Sequence, residues 1–76
     1  MTLEETKEIV LSVREGESIK FIIRTPGERT RFAGAMKIIE QKYGYELALG
    51  HIKNRVYYLT VFREGKRDEL LAAKGI

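Results

Sequence analysis

Hydrophobic and polar positions alternate over residues 8–14, where Ile9, Leu11 and Val13 interleave with Val10, Ser12 and Arg14. They alternate again over 19–25, where Ile19, Phe21 and Ile23 interleave with Lys20, Ile22 and Arg24. A period of two with β-branched content predicts two strands. Glu15-Gly16-Glu17 between them is turn chemistry. A three-residue loop sets Val13 beside Ile19, Leu11 beside Phe21 and Ile9 beside Ile23, so that six apolar side chains share one face. A two-residue loop would mix the faces. The opposite face then carries Val10, Ser12, Arg14, Lys20, Ile22 and Arg24. Residues 1–7 read as a frayed end or a short lead-in.

The period changes after Arg24. Thr25-x-x-Glu28 matches a capping box, with Pro26 at the first helical position. The competing reading is a Pro26-Gly27 β-turn, with the helix starting near Glu28 or Thr30. At 100° per residue Phe32, Ala35, Met36, Ile39 and Tyr43 fall on one arc, opposite Thr30, Lys37 and Gln41. Gly44 is placed to end this helix in a left-handed conformation. Residues 45–52 and 55–63 form a second strand pair joined at Lys53-Asn54. That loop opposes Leu49 to Tyr58, Leu47 to Thr60 and Tyr45 to Phe62, leaving Ala48, Gly50, Tyr57, Leu59 and Val61 on the other side. Both sides are apolar, so periodicity leaves open which one packs on the helix. Asp68 and Glu69 suit the first turn of a last helix through Leu70–Ala73, and Lys74-Gly75-Ile76 reads as its stop.

The predicted order is β-β-α-β-β-α. Its simplest build is an α+β two-layer sandwich: a four-stranded, mainly antiparallel sheet with helices on one face. Residues 1–76 make a single domain near the lower size limit for independent folding, which makes a homodimer an expectation. The hydrophobic share, 43%, is that of an ordered globular chain. With 33% charged residues, no Cys, no Trp, one Asn and one Gln, the composition has the bias of a heat-adapted protein. No apolar run reaches the roughly 18 residues of a membrane span. The acidic start Met1-Thr2-Leu3-Glu4-Glu5 lacks the basic and apolar regions of a signal peptide. Absent cysteine excludes disulfides and thiolate metal sites, and the expected location is cytoplasmic.

Charge sharpens the picture. The net charge is only +3, but it is concentrated in blocks. Lys20, Arg24, Arg29, Arg31 and Lys37 stand against Glu28 alone, and Lys53, Arg55, Arg63, Lys66 and Arg67 against Glu64 alone. Brought together, these blocks would make a strong positive patch; kept apart, they would solvate the surface. Arginines near a helix start run against the usual acidic first turn. Either a phosphate sits among Arg24, Arg29 and Arg31, or Glu28, Glu15 and Glu17 pair with them. Tyr58 and Phe62 beside Arg14, Lys20 and Arg24 would make a stacking surface for single strands, or else pack as core or dimer contacts.

Catalytic chemistry has little to stand on. His51 is the one histidine and Asp68 the one aspartate, and nothing places them beside a nucleophile. Neither metal-ligand spacing nor a phosphate-loop motif occurs, so no cofactor is expected.

Tyr43-Gly44-Tyr45, then two strands, then Arg63-Glu64-Gly65-Lys66-Arg67-Asp68-Glu69-Leu70-Leu71 and Lys74-Gly75-Ile76, make the C-terminal half resemble the archaeal and eukaryotic translation initiation factor one family. The resemblance covers about half the chain. It implies a β-β-α-β-β-α domain that binds the small ribosomal subunit, with Lys66 and Arg67 as candidates for RNA contact. The chain departs from the family in having Gly44 without a second glycine after the helix, and in its acidic Glu15-Gly16-Glu17 loop. The expected function is therefore a non-enzymatic module for RNA or single-stranded DNA, using Arg14, Lys20, Arg24, Arg29, Arg31, Lys53, Arg55 and Tyr58. The alternative is a homo-oligomeric assembly module held together by the apolar outer side of the second hairpin.

Overall fold

The computed structural model describes residues 2–73. The chain runs α1 (Leu3–Leu11), β1 (Ser18–Ile22), α2 (Pro26–Tyr43), β2 (Glu46–Lys53), β3 (Val56–Arg63) and α3 (Arg67–Ala73). The α+β class stands, with three helices and a three-stranded antiparallel sheet ordered β1-β3-β2. The four strands and the β-β-α-β-β-α order do not. The stop assigned to Lys74-Gly75-Ile76 lies outside the described residues.

The first hairpin is replaced by a helix. Thr2 caps α1 by accepting from the Glu5 N–H at 3.2 Å, and the Glu5 carboxylate accepts from the Thr2 N–H at 2.9 Å. This capping box satisfies two donors at once. Thr6, Val10 and Val13 then turn inward at helical spacing and are buried, with Ile9 and Leu11 at the flanks. Alternation of Ile9, Leu11 and Val13 is compatible with that helix as well as with a strand. Packing against α2 and α3 selects the helix. The C-terminal carbonyls of α1 are satisfied by Arg67, which donates to Leu11 O at 2.6 Å and Val13 O at 3.4 Å.

The second helix follows its sequence signals except that the expected capping box is only half formed, because the Glu28 carboxylate accepts from the Arg24 N–H at 2.7 Å. Thr25 is the N-cap, with its hydroxyl accepting from the Glu28 N–H at 3.1 Å, and Pro26 opens the first turn. The capped start settles the choice against an isolated Pro26-Gly27 turn. Phe32, Ala35, Met36, Ile39 and Tyr43 are all buried. Gly44 ends the helix at φ 75°, a left-handed backbone that costs a residue without Cβ nothing.

Strand β3 lies between β1 and β2 and is antiparallel to both, so β1 and β2 run parallel across it. The β2–β3 register differs by one residue from the expected one. Leu49 pairs with Leu59, Leu47 with Val61 and Gly50 with Tyr58. Irregularities at Glu46/Leu47 and His51/Lys53 bracket the ladder, and the turn is Asn54-Arg55, with Asn54 at φ 53°. Such local extra residues are not written into a hydrophobic pattern. The shift puts Tyr45, Leu47, Leu49, Tyr57, Leu59 and Val61 on the face under the helices, joined by Ile19 and Phe21 of β1. Lys20, Ile22, Tyr58 and Phe62 point to the opposite, uncovered face. Among the described residues no helix is long and apolar enough to cross a membrane.

A polar clasp ties the α1–β1 turn to the end of β3. Arg14 forks onto Glu64 at 2.7 and 3.2 Å, while Glu64 and Glu15 exchange backbone N–H bonds to each other's carboxylates at 3.0 and 2.8 Å. The guanidinium, and next the Glu15 N–H, hold the Glu64 carboxyl below the usual carboxylate range. A carboxyl depressed in the folded state stabilises above its unfolded pKa of about 4.3 and loses that contribution as pH falls through the folded value. Thermal unfolding of wild type and Glu64→Gln is therefore expected to show the widest gap near neutrality and a closing gap below about pH 4. A gap that widens with acid would contradict the clasp.

Candidate nucleic-acid interface

The fold separates the basic residues into two kinds of environment. At the end of the sheet where β3 finishes, arginines are neutralised: Arg14 by Glu64, and Arg63 by Glu46 at 3.1 Å. Glu17 accepts from the Arg14 N–H at 3.0 Å and belongs to the same end. Arg14, expected on a basic sheet face, is thus a structural ion pair on a turn, and the hairpin that was to align it with Lys20 and Arg24 does not exist.

The opposite end is different. Strand β1 finishes there, α2 begins there and the Asn54-Arg55 turn lies alongside, fixed by an Ile23 N–H bond to Arg55 O at 2.9 Å. A cleft of ≈ 250 Å³ is lined by Ile23, Arg24, Thr25, Pro26, Arg29, Asn54, Arg55 and Tyr57. Beside it a depression of ≈ 540 Å³ shares Arg24, Asn54 and Arg55 and is completed by Ile22 and Val56. Among the described residues no acidic side chain lines either. Among the described residues no ion pair or hydrogen bond engages the guanidinium of Arg24, Arg29 or Arg55.

Glu28, the nearest candidate to neutralise them, is turned to another task. Its carboxylate accepts from the backbone N–H of Arg24 at 2.7 Å, and that bond is the main reason its carboxyl is held low. The Arg24 charge is a lesser influence on it. Glu15 and Glu17 sit in the clasp at the far end of the sheet. The ion-pair alternative for these arginines therefore loses the acidic partners it required.

The remaining candidates divide. Arg31 lies on another side of α2, lining a cleft of ≈ 520 Å³ with Thr2, Leu3, Gly34, Ala35 and Ile38, and does not join Arg24 and Arg29. A helix turns about 200° between positions 29 and 31, which separates them. Arg55, by contrast, is brought in from a distant part of the chain. Lys53 is exposed at the end of β2, next to the turn that carries Arg55. Lys20 pairs with Tyr58 on the uncovered sheet face, one row along from the Ile22–Val56 pair that floors the depression.

Tyr58 owes its position to Gly50 on the neighbouring strand. A Cβ at Gly50 would overlap the Tyr58 ring, so the ring lies flat across the glycine of the neighbouring strand. Tyr58 is 38% exposed in this posture and Phe62, farther along the same face, is 62% exposed. A glycine inside an otherwise apolar strand was the available signal for a close approach. His51 stacks on Tyr57 at 4.5 Å and donates its Nε2–H to the carbonyl oxygen of Asn54 in its own turn at 2.8 Å, a packing role. Of the residues implied by the family resemblance, Arg67 is committed to the carbonyls of α1, while Lys66 is exposed.

Compared with protein-family models, curated proteins and solved structures, the chain matches none.

Proposed function

We propose that this protein is a small, non-enzymatic, cytoplasmic nucleic-acid-binding module that holds RNA or single-stranded DNA mainly by its phosphates. One observation carries the reading: Arg24, Arg29 and Arg55 line one cleft at one end of the sheet, and among the described residues no ion pair engages their guanidinium groups and no acid lines the cleft. Three desolvatable forks of this kind suit phosphate oxygens. Lys20 and Lys53 extend the positive surface on either side, and Tyr58 offers a ring face beside it. The resemblance to the initiation factor one family points toward the same class of partner through other residues. Arg14 leaves the proposed contact set because its charge is spent on Glu64, and Arg31 because it faces elsewhere.

The test is a fluorescence-anisotropy titration with labelled single strands over a range of salt. Expected is binding at low salt, with log K falling linearly against log salt at about −0.7 per phosphate contacted. A folded sample that binds no single strand at low salt refutes the reading.

A second reading has its own support. Ile22, Ile52 and Phe62 are exposed and apolar, and Ile22 and Phe62 share the uncovered sheet face with Tyr58. A homodimer would cover that face. Both occupants claim Tyr58, so a dimer that closes over it would exclude stacking.

A further inference from the structure

The arginine cleft is small. Its lining comes from the first turn of α2 (Thr25, Pro26, Arg29), the Asn54-Arg55 turn, buried Ile23 and Tyr57. Its continuation is the larger depression floored by Ile22 and Val56, which leads to the Lys20–Tyr58 row. The donors of the helix start are not what fills the cleft. Thr25 already takes the Glu28 N–H, and Pro26 has none to offer. The ligand-binding capacity belongs to three arginines, from the segment after β1, from α2 and from the hairpin turn, that line one small volume.

Charge and shape then select among phosphates. An internal phosphodiester carries one negative charge and continues in two directions. A phosphomonoester carries about −1.5 to −2 near neutrality, presents three terminal oxygens and continues in only one. Three arginines lining one cleft, with no acid among its described lining residues, match the second better than the first in charge and in number of acceptors. Resting on the phosphate-binding reading above, we infer that the cleft takes the terminal phosphate of a single strand. The first nucleoside then occupies the Ile22–Val56 depression, and a following base lies on Tyr58. The end recognised is a phosphomonoester, whether at the 5′ or the 3′ terminus.

Three strands of one sequence separate the possibilities: 5′-phosphorylated, 3′-phosphorylated and unphosphorylated at both ends, each titrated into the full chain. One phosphorylated form is expected to bind about tenfold or more tighter than the unphosphorylated strand. That preference should shrink as pH falls below about 6, where the second phosphate proton returns. Arg29→Ala should remove the preference while leaving residual binding of the unphosphorylated strand through Lys20 and Tyr58. Affinities within twofold across all three strands, with binding still dependent on Arg24 and Arg55, would overturn end recognition and leave the phosphate-binding reading standing. Failure of all three strands to bind would overturn both. Arg29 is exposed on α2, and an unchanged circular-dichroism melt confirms that its removal reports on the ligand rather than on folding.

Discussion

Replacing Arg24, Arg29 and Arg55 together by alanine is expected to lower the affinity for an end-phosphorylated single strand by at least a hundredfold at low salt and to reduce the salt slope by about 1. The slope follows from losing the one terminal phosphate that the three side chains share, which carries about −1.5 to −2, at about 0.7 per charge. The size of the affinity loss follows from the environment: among the described residues these guanidinium groups make no ion pair, so binding breaks none. Arg14→Ala is the matched control. Its guanidinium is held by Glu64 at 2.7 Å, so its removal should leave strand affinity within about twofold while weakening the clasp at the other end of the sheet. Anisotropy titrations of both variants over salt check the pair. Equal losses in the two variants would mean that affinity follows total charge and not the cleft.

Phe32→Ala is expected to cost about 3–5 kcal/mol of folding stability. Phe32 is fully buried on the inward arc of α2, its ring centroid 4.7 Å from that of Phe21 on β1. It therefore joins the helical layer to the sheet beside the strand that delivers Arg24. A domain of this length has roughly 4–11 kcal/mol in all, so the variant loses a large part of its margin and should be partly unfolded on warming. Ile38→Ala, on the exposed side of the same helix, should change stability by no more than about 0.5 kcal/mol. Urea unfolding of the two variants measures the contrast, and comparable losses would contradict the assignment of the core face.

The second helix was legible because every signal agreed: a Thr25 cap, Pro26 behind it, a five-residue apolar arc and Gly44 at the end. The first helix was not, although it carries the same kind of start. Thr2-x-x-Glu5 repeats the pattern of Thr25-x-x-Glu28, but the β-branched alternation after it is short enough to suit either period. Burial of Val10 against α2 and α3, a long-range fact, decides the matter. The second hairpin was legible as two strands and not as a register, because the Asn54-Arg55 turn and the two irregularities move the pairs from Leu47 to His51 by one and the end pairs Glu46–Arg63 and Lys53–Val56 by two.

That one-residue shift also decides the site. It turns Tyr58 outward over Gly50 and sends Leu59 and Val61 into the core, so the aromatic platform survives while its neighbours change. The basic cluster was half legible. Arg24 and Arg29 are close in sequence and stay together. Arg55 reaches them because β1 pairs with β3 and its end abuts the hairpin turn. Arg31, two residues from Arg29, is carried away by the turn of α2, and Arg14 by α1, which stands where the alternation predicts a strand.

A backbone chemical-shift map of the isotope-labelled protein titrated with a short single strand tests the central claim most directly. The account predicts that the largest perturbations fall on Arg24, Thr25, Arg29, Asn54, Arg55 and Tyr58, with Arg14, Glu64 and Arg63 nearly still. Perturbations centred on the Arg14–Glu64 end, or spread evenly over all basic residues, would contradict it.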